Sequence, residues 1–366
     1  MLWNAQEEHV AEDSSKGVRM NRKNPYTLTF GKEPGQMIRR NVQSEQVINA
    51  FLDEPRSQQV FMITGIRGSG KTVFMTETSH VIAKEKDWIV VELNPEQDLL
   101  TSLASKLSSE NELARIFQSA DINLSLFGFG LTVKGAAPIS DIETALQKML
   151  LSLKKKGKTL LITIDEVTNT PQMRTFAAAF QIFLRQDLPV CLLMTGLYEN
   201  INALQNENSL TFLHRAPKIE LGPLNISTIA EDYQSVLQLS EADGLQMARL
   251  TKGYSFAFQV LGYFTWENPD DPQRALSQSR QYLEDYAYDK IWSELSRKDR
   301  EVLHAIAQTG SGKVSEIRAK LDMTNNEFNP YRRRLIQKGI IAGDERGYVR
   351  CLLPFFDRFV LANFEV

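Results

Sequence analysis

The chain has 366 residues, of which 42% are hydrophobic and 24% charged, and its formal net charge is −3 at pH 7. This composition is typical of a soluble globular protein with room for one large domain or two to three smaller ones. The small net charge excludes a strong overall field for nucleic acid or membranes, so any such preference has to be local. The two cysteines, Cys191 and Cys351, lack disulfide-framework or metal-ligand spacing, which favours a reducing compartment.

Residues 1–24 are polar and show no apolar periodicity, which predicts a mobile tail. No run of about 18 apolar residues occurs anywhere in the chain. The first residues also lack the basic and then apolar order of a signal peptide. We therefore expect a cytoplasmic protein that makes no membrane contact.

Short apolar runs alternate with segments of helical periodicity between residues 25 and 224. Continuous apolar runs of this kind are typical of strands that are buried on both faces of a parallel sheet. The alternation predicts an α/β fold, with a parallel sheet covered by helices on both faces. The predicted strands are Val60–Thr64, Trp88–Leu93, Thr159–Ile164, Val190–Met194 and Lys218–Leu221.

One stretch, from about 121 to 134, interrupts this alternation. Ile122, Leu124 and Leu126 alternate with polar residues before a glycine-rich turn and a second short apolar run. The pattern predicts an inserted hairpin. Such a hairpin could bind a partner or simply form a sheet edge.

A glycine-rich motif directly follows the first predicted strand and precedes a helical segment. It satisfies G-x-x-x-x-G-K-[ST], whose backbone N–H groups cradle phosphates at a helix N-terminus. The lysine would reach the β- and γ-phosphates, and the threonine hydroxyl would ligate Mg²⁺. A glycine-rich turn that contains lysine by chance would look the same. The motif consists of Gly65, Ile66, Arg67, Gly68, Ser69, Gly70, Lys71 and Thr72.

A second motif supports the first, because the apolar strand Thr159–Ile164 ends in Asp165 and Glu166. Ligands of open parallel sheets bind at the carboxyl ends of the strands. Asp165 would hold Mg²⁺, and Glu166 would orient and activate an attacking water. A strand ending in two carboxylates is by itself more often a solvated turn. Together and in this order, the two motifs predict ATP binding and Mg²⁺-dependent hydrolysis.

The predicted strands stop after residue 224, and two further modules follow. Helical periodicity predicts an all-helical domain over 225–292. Short helices followed by glycine-punctuated strands predict a winged helix-turn-helix domain over 297–366. Its second helix begins either at a capping box, Thr324 to Glu327, or later, with Asn329 as cap and Pro330 as first residue.

Positive charge is concentrated in this last module. Residues 297–350 contain twelve Lys or Arg against seven Asp or Glu, a local charge of +5 that leaves −8 for the rest of the chain. The pattern predicts contact with duplex DNA, although winged helices also bind proteins and an arginine run is often a solvated face. The candidate contact residues are Asn325, Asn326, Asn329, Arg332, Arg333 and Arg346.

From about residue 25 to 361, the order of parts resembles the AAA+ ATPases. It is most similar to the clade of archaeal origin-recognition initiators and related prokaryotic ATPases of STAND type. The resemblance implies an ATPase core, a helical lid over 225–292 and a C-terminal winged helix. It also implies nucleotide-dependent switching, which loading, transposition, regulation or defence could use.

The resemblance implies further site residues. Thr195 matches a polar position that places the water beside the γ-phosphate, although its hydroxyl could instead cap the next helix. Arg215 lies near the position of an arginine finger, which acts in trans and requires an oligomer or partner; it could also be a plain surface arginine. Arg39 and Arg40 resemble the segment that lines the adenine pocket.

The chain departs from the resemblance at Gly253-Tyr254-Ser255-Phe256, where many AAA+ lids provide an arginine that senses nucleotide. Its absence predicts slow hydrolysis and favours a switch over a fast motor. The leading hypothesis is an ATPase switch that couples nucleotide state to duplex DNA. The alternatives are a signalling ATPase whose winged helix contacts protein, and a nucleotide-binding scaffold with negligible turnover.

Overall fold

The structure is a computed structural model that describes residues 23–29, 34–129 and 137–364. The chain divides into two compact units. We call residues 39–65 and 71–221 the sheet unit, and residues 1–38, 66–70 and 222–366 the helical unit. Most of the predicted N-terminal tail and the second strand of the predicted hairpin lie outside the described residues.

The sheet unit is built on a five-stranded sheet in the order β2-β3-β4-β1-β5, and all of its neighbouring strands are parallel. The predicted α/β fold class is confirmed. Every predicted strand is present, with its C-terminal boundary within two residues of the prediction. The strands are β1 Val60–Thr64, β2 Trp88–Leu93, β3 Thr159–Ile164, β4 Val190–Gly196 and β5 Lys218–Glu220.

Successive side chains of the strands enter two different cores, as the two-residue period of a strand requires. On β1, Met62 packs in the larger core, whereas Phe61 and Ile63 pack in the smaller one. Because both faces of the central strands β1, β3 and β4 are covered, every residue of these strands is buried. This double burial accounts for the continuous apolar runs in the sequence.

Helices cover both faces of the sheet. The smaller core contains residues of α1 and α2, and the larger core contains residues of α3 to α7. Side-chain capping fixes the start of α6. The Thr170 hydroxyl accepts the Met173 N–H, and Pro171 is the first helical residue. The helices are α1 Asn41–Leu52, α2 Lys71–Ile82, α3 Leu99–Ser109, α4 Asn111–Ser119, α5 Ile142–Lys155, α6 Pro171–Arg185 and α7 Tyr198–Gln205.

The prediction of a first hairpin strand at residues 122–126 is wrong. Ser125–Phe127 forms a short 3-10 turn, and the described residues of this stretch contain no strand. The Asn123 side chain accepts the Ser125 N–H at 3.1 Å, and its carbonyl accepts the Ile139 N–H at 3.0 Å. The first of these bonds is local, and both use backbone groups that a hairpin ladder would need.

The helical unit begins with an N-terminal segment that packs on its own helices. Tyr26 is 1% exposed and donates to Asp232 at 2.7 Å. Asn24, the last residue of the predicted tail, is held in the fold because its side chain donates to Tyr263 and Glu267 of α10. The first helices of the unit are α8 Ile226–Leu237, α9 Glu241–Leu250, α10 Ser255–Glu267, α11 Pro272–Leu283 and α12 Asp289–Ser293, with a π-helical turn at Glu284–Tyr288.

The C-terminal part of the helical unit contains four helices and a small antiparallel sheet. Of the two predicted starts for α15, the capping box is correct: Thr324 and Glu327 exchange both bonds, and Pro330 lies inside the helix. No helix in the described part of the chain is both long and apolar enough to cross a membrane. The elements are α13 Arg297–Thr309, α14 Val314–Lys320, α15 Asn325–Gln337, β6 Ile341–Ala342, β7 Arg350–Cys351 and α16 Phe356–Asn363.

Candidate functional site

Three segments of the chain that carry predicted site residues meet at one edge of the sheet. β4 lies between β1 and β3, so the carboxyl ends of these three strands are neighbours. Asp165 follows β3, Thr195 lies near the end of β4, and the glycine-rich motif follows β1. The register pairs Ile63 with Thr195 and Ile164 with Met194. The sheet topology therefore brings together residues that are far apart in sequence.

Lys71 and Thr72 are the first two residues of α2. The Lys71 side chain is buried, and its Nζ donates to the Gly65 carbonyl at 3.0 Å. The Thr72 hydroxyl donates to Asp165 Oδ2 at 2.6 Å. The site thus presents an ammonium group beside a paired hydroxyl and carboxylate at a helix N-terminus, where anions are favoured.

Thr195 is fully buried, and its hydroxyl donates to the other oxygen of Asp165, Oδ1. The same hydroxyl accepts the Glu166 N–H at 3.3 Å, and the Thr195 carbonyl accepts the Val167 N–H at 2.9 Å. The alternative role, capping α7, does not hold, because that helix begins after Leu197 without a side-chain cap. Thr195 instead orients the Asp165 carboxylate and the backbone of Glu166.

Glu166 has a φ of +52°, a left-handed conformation that non-glycine residues rarely adopt. Its side chain is exposed, whereas Ile164, two residues before it, and Val167, directly after it, are buried. Backbone outliers that the surrounding contacts enforce are characteristic of functional sites. Here the conformation directs the Glu166 carboxylate away from the core while Asp165 stays bound to Thr72 and Thr195.

The middle of the glycine-rich motif, residues 66–70, belongs to the helical unit. Gly68 and Gly70 have φ values of +76° and +89°, which only glycine adopts readily. At Gly68 a Cβ would also come within 2.9 Å of the Phe256 Cβ. The motif's glycines are therefore required by backbone conformation and, at Gly68, by close packing.

The three arginines implied by the resemblance lie in different surroundings. Arg39 is paired with Glu77 at 2.9 Å. Arg40 precedes α1, and desolvation lowers its pKa to about 10. Arg215 is exposed at the end of the 3-10 turn Thr211–Arg215. Their roles in adenine and γ-phosphate contact remain predictions.

The candidate DNA contacts form two classes. Arg332 is half-buried, and its Nη2 donates to the Gly343 carbonyl at 3.2 Å. Arg334, two residues further along the arginine run, donates through Nη2 and Nε to Oδ1 of Asp299 at 2.7 and 2.9 Å, and the Asp299 side chain is 2% exposed. The other candidates are exposed: Asn325, Asn326, Asn329, Arg333 and Arg346.

Sequence reasoning missed two features. Asn169, shortly after Glu166, donates to Glu207 at 3.2 Å and accepts from Arg174 at 3.1 Å, which stiffens the loop after β3. The second feature is a set of contacts that Tyr254 and Ser255 make with the glycine-rich loop. The absence of an arginine marked that region in the sequence, but no local pattern indicated those partners.

The residues present fit a magnesium nucleotide. A hydroxyl and a carboxylate 2.6 Å apart are the hard oxygen donors that Mg²⁺ prefers. Within the described residues there is no group of three or more His, Cys, Asp or Glu side chains that could hold a metal by itself. A metal here would therefore depend on phosphate oxygens and water for its remaining ligands, as Mg²⁺ commonly does.

Two family models match separate parts of the chain. Residues 37–189 match the model of the mitochondrial ribosomal death-associated protein 3, and residues 285–360 match a domain of unknown function, DUF8462. The first match includes both nucleotide motifs, and the second covers most of the C-terminal helices and strands. No curated protein matches the chain.

Solved structures match nearly the whole chain at low sequence identity. A Walker-type ATPase of Pyrococcus abyssi is 16% identical with a TM-score of 0.60, over 89% of this chain and 96% of that one. The ORC2 protein of Aeropyrum pernix in its ADP form is 14% identical with a TM-score of 0.50, over 91% and 95%. A STAND protein of Pyrococcus horikoshii is 16% identical with a TM-score of 0.42, over 93% and 44%. The first two of these matches show a shared fold, that of the Walker-type ATPase and of the ORC2 protein, and the predicted resemblance is confirmed at the level of the fold.

Proposed function

We propose that the protein is an ATP-binding, Mg²⁺-dependent ATPase that acts as a molecular switch and couples its nucleotide state to duplex DNA. The observation that carries the proposal is the bond between Thr72 and Asp165, which joins the two nucleotide motifs across three strands. The similar ORC2 protein of Aeropyrum pernix was solved in an ADP form, which supports nucleotide binding by this chain. In this proposal residues 25–224 are the ATPase core, 225–292 the lid and 297–366 a winged helix.

Each site residue has a physical role in nucleotide binding. The backbone N–H groups of the glycine-rich loop and the α2 N-terminus hold phosphate charge, and the Lys71 ammonium adds a point charge. Thr72 and Asp165 would hold Mg²⁺, which when bound neutralises charge on the phosphate oxygens. Thr195 keeps the Asp165 carboxylate oriented. Arg39 and Arg40 contact the adenine in this proposal.

Hydrolysis then requires a water molecule that is correctly placed and deprotonated. The Glu166 carboxylate accepts a proton from that water while the water oxygen attacks the γ-phosphorus. The bond between the γ-phosphorus and the β–γ bridging oxygen breaks, and ADP leaves. Exposure of Glu166 gives it access to solvent water. Arg215 would stabilise the transferred phosphoryl group from a neighbouring subunit, which requires an oligomer. Without an arginine in the lid at 253–256, turnover is slow.

Replacing Thr72 by alanine is expected to remove the benefit of Mg²⁺ for nucleotide binding. Without the hydroxyl, Mg²⁺ loses one protein ligand, and we expect roughly tenfold weaker binding of the Mg²⁺ complex. Affinity for ATP is measured by titration with Mg²⁺ and again with a chelator. The unaltered chain should bind more tightly with Mg²⁺, and the variant should bind almost equally in both conditions.

The matched control is Thr76→Ala, which removes a partly exposed hydroxyl from the same helix. It should keep the full Mg²⁺ benefit. An undiminished benefit in Thr72→Ala would rule out the metal role that we assign to this residue.

The proposed DNA contact rests on the local charge of +5 over residues 297–350 and on the exposure of five polar or basic side chains. Arg333 and Arg346 would contact phosphates, and Asn325, Asn326 and Asn329 would reach base edges. Arg332 contributes less, because its guanidinium already donates to Gly343. Affinity should therefore fall steeply as salt rises from about 50 to about 200 mM.

Substitution by alanine is expected to affect DNA binding at Arg333 and folding stability at Arg334, although the two arginines are adjacent on α15. Arg333→Ala should weaken DNA binding and reduce the salt slope by about one, without changing stability. Arg334→Ala should lower the free energy of unfolding by roughly 3 kcal/mol, because it leaves the buried Asp299 carboxylate without its guanidinium partner. Anisotropy titrations with duplex DNA and thermal unfolding separate the two effects. Equal DNA affinity of Arg333→Ala and the unaltered chain would count against the contact.

A second candidate function is a signalling ATPase of STAND type whose C-terminal module binds protein. The engagement of Arg332 and Arg334 within the module favours it, because their charge serves internal structure rather than DNA. In that case nucleotide binding would persist, whereas salt-sensitive DNA affinity would be absent.

A further inference from the structure

The segment Tyr254–Phe256, at the start of α10, contacts the glycine-rich loop directly. The Tyr254 hydroxyl donates to the Arg67 carbonyl at 2.7 Å, and the Phe256 N–H donates to the Gly68 carbonyl at 3.1 Å. The Ser255 hydroxyl donates to the Ser69 carbonyl at 3.1 Å. Three consecutive loop carbonyls thus accept from three consecutive residues of the helical unit.

These contacts are partly buried, and the packing around Gly68 leaves little room for rearrangement. Tyr254 is 5% exposed. Because Gly68 has no side chain, the Tyr254 hydroxyl and Phe256 can approach the loop backbone closely. The Arg67 side chain is held as well, because its Nη2 pairs with Glu294 at 2.8 Å. The loop is consequently fixed through both its backbone and its one charged side chain.

The direction of these bonds matters for phosphate binding. In a trans peptide the carbonyl and the N–H of the same unit point in opposite directions. Donors that hold the carbonyls of Arg67 and Ser69 therefore orient the N–H groups of Gly68 and Gly70 toward the other side, whereas the Ser69 N–H donates to the Ile66 carbonyl at 3.1 Å within the loop. The N–H groups of the two glycines are ones that a glycine-rich loop uses to bind phosphate.

We propose that Tyr254 and Ser255 are positioning residues that set nucleotide affinity by holding the backbone of the glycine-rich loop. They take the place of an arginine that would contact phosphate itself. This inference rests on the proposed function, because it assumes that the loop binds nucleotide. In this inference the lid affects nucleotide affinity through hydrogen bonds from uncharged side chains to carbonyl groups of the loop.

The effect follows from the loss of one bond. Tyr254→Phe removes only the hydroxyl and leaves the Arg67 carbonyl without its donor, so the loop occupies its binding conformation less often. We expect affinity to fall about threefold to tenfold. ATP and ADP should be affected alike, because the loop N–H groups contact phosphates that the two nucleotides share.

The matched control is Tyr233→Phe. Tyr233 is fully buried in the helical unit, and its hydroxyl donates to the Phe258 carbonyl of α10 at 2.8 Å. The two substitutions therefore remove the same atom and the same kind of bond. They should lower the melting temperature by similar amounts. Only Tyr254→Phe should weaken nucleotide binding at temperatures where all variants are folded.

The experiment titrates ATP and ADP into the unaltered chain, both tyrosine variants and Lys71→Ala, with melting curves for each. Ser255→Ala, at a half-buried position, provides a second variant in case Tyr254→Phe folds poorly, and it should also lose affinity for both nucleotides. If Tyr254→Phe and Ser255→Ala bind nucleotide as tightly as Tyr233→Phe does, the inference is wrong but the proposed function still stands. If the unaltered chain binds no nucleotide, or binds as Lys71→Ala does, the proposed function itself fails.

Discussion

Lys71→Ala should lower the affinity of the chain for ATP by about 100-fold or more. The substitution removes a buried ammonium that forms charge-assisted bonds, each worth more than a neutral hydrogen bond. Its alanine replacement leaves phosphate charge at the α2 N-terminus without a countercharge. Equilibrium titration with a fluorescent ATP analogue measures the loss.

A suitable control is Lys84→Ala, which removes the same charge from an exposed position just after α2. The control should bind ATP as the unaltered chain does. If both lysine variants retain full affinity, ATP does not bind at the glycine-rich motif.

Glu166→Gln is expected to slow ATP hydrolysis by about 100-fold or more while leaving ATP affinity within a factor of about two, since an amide cannot accept the proton of the attacking water. The left-handed backbone at Glu166 is held by bonds to its N–H and by the buried neighbours, not by its carboxylate. The substitution should therefore preserve the local structure. Single-turnover hydrolysis and nucleotide titration report the two quantities separately.

Glu92→Gln is the matched control, because Glu92 is an exposed carboxylate on the neighbouring strand β2. Its turnover should equal that of the unaltered chain. Unchanged turnover in Glu166→Gln would instead favour the nucleotide-binding scaffold with negligible enzymatic activity.

The sheet and the motif residues could be predicted because strong local signals and the fold agree. Strands buried on both faces must be apolar throughout, so they stand out as short runs closed by polar residues. The glycine-rich motif requires left-handed glycines at 68 and 70, a requirement that is visible in the sequence itself. Parallel topology then places the end of β3 near the end of β1.

The hairpin could not be judged from alternation alone. Ile122 and Leu124 are buried, as a strand facing the core would require, but Leu126 is 63% exposed. The deciding interaction is local, because the Asn123 side chain accepts the Ser125 N–H and turns the chain. An apolar alternation over the five residues 122–126 does not reveal such a competing bond.

Long-range side-chain partners were equally hidden from the sequence. Arg333 and Arg334 are neighbours on α15, yet successive residues of a helix point about 100° apart, so one faces solvent and the other faces Asp299. Tyr254 likewise meets a carbonyl 187 residues earlier in the chain. Such pairings depend on how helices pack, which periodicity does not specify.

Steady-state ATP hydrolysis, with and without duplex DNA at low salt, tests the central claim most directly. Lys71→Ala supplies the background rate. The account predicts slow, Mg²⁺-dependent turnover that disappears in Lys71→Ala and rises when duplex DNA is added. Turnover equal to that of Lys71→Ala in both conditions would contradict the account, and a Lys71-dependent rate that ignores DNA would contradict the coupling to DNA.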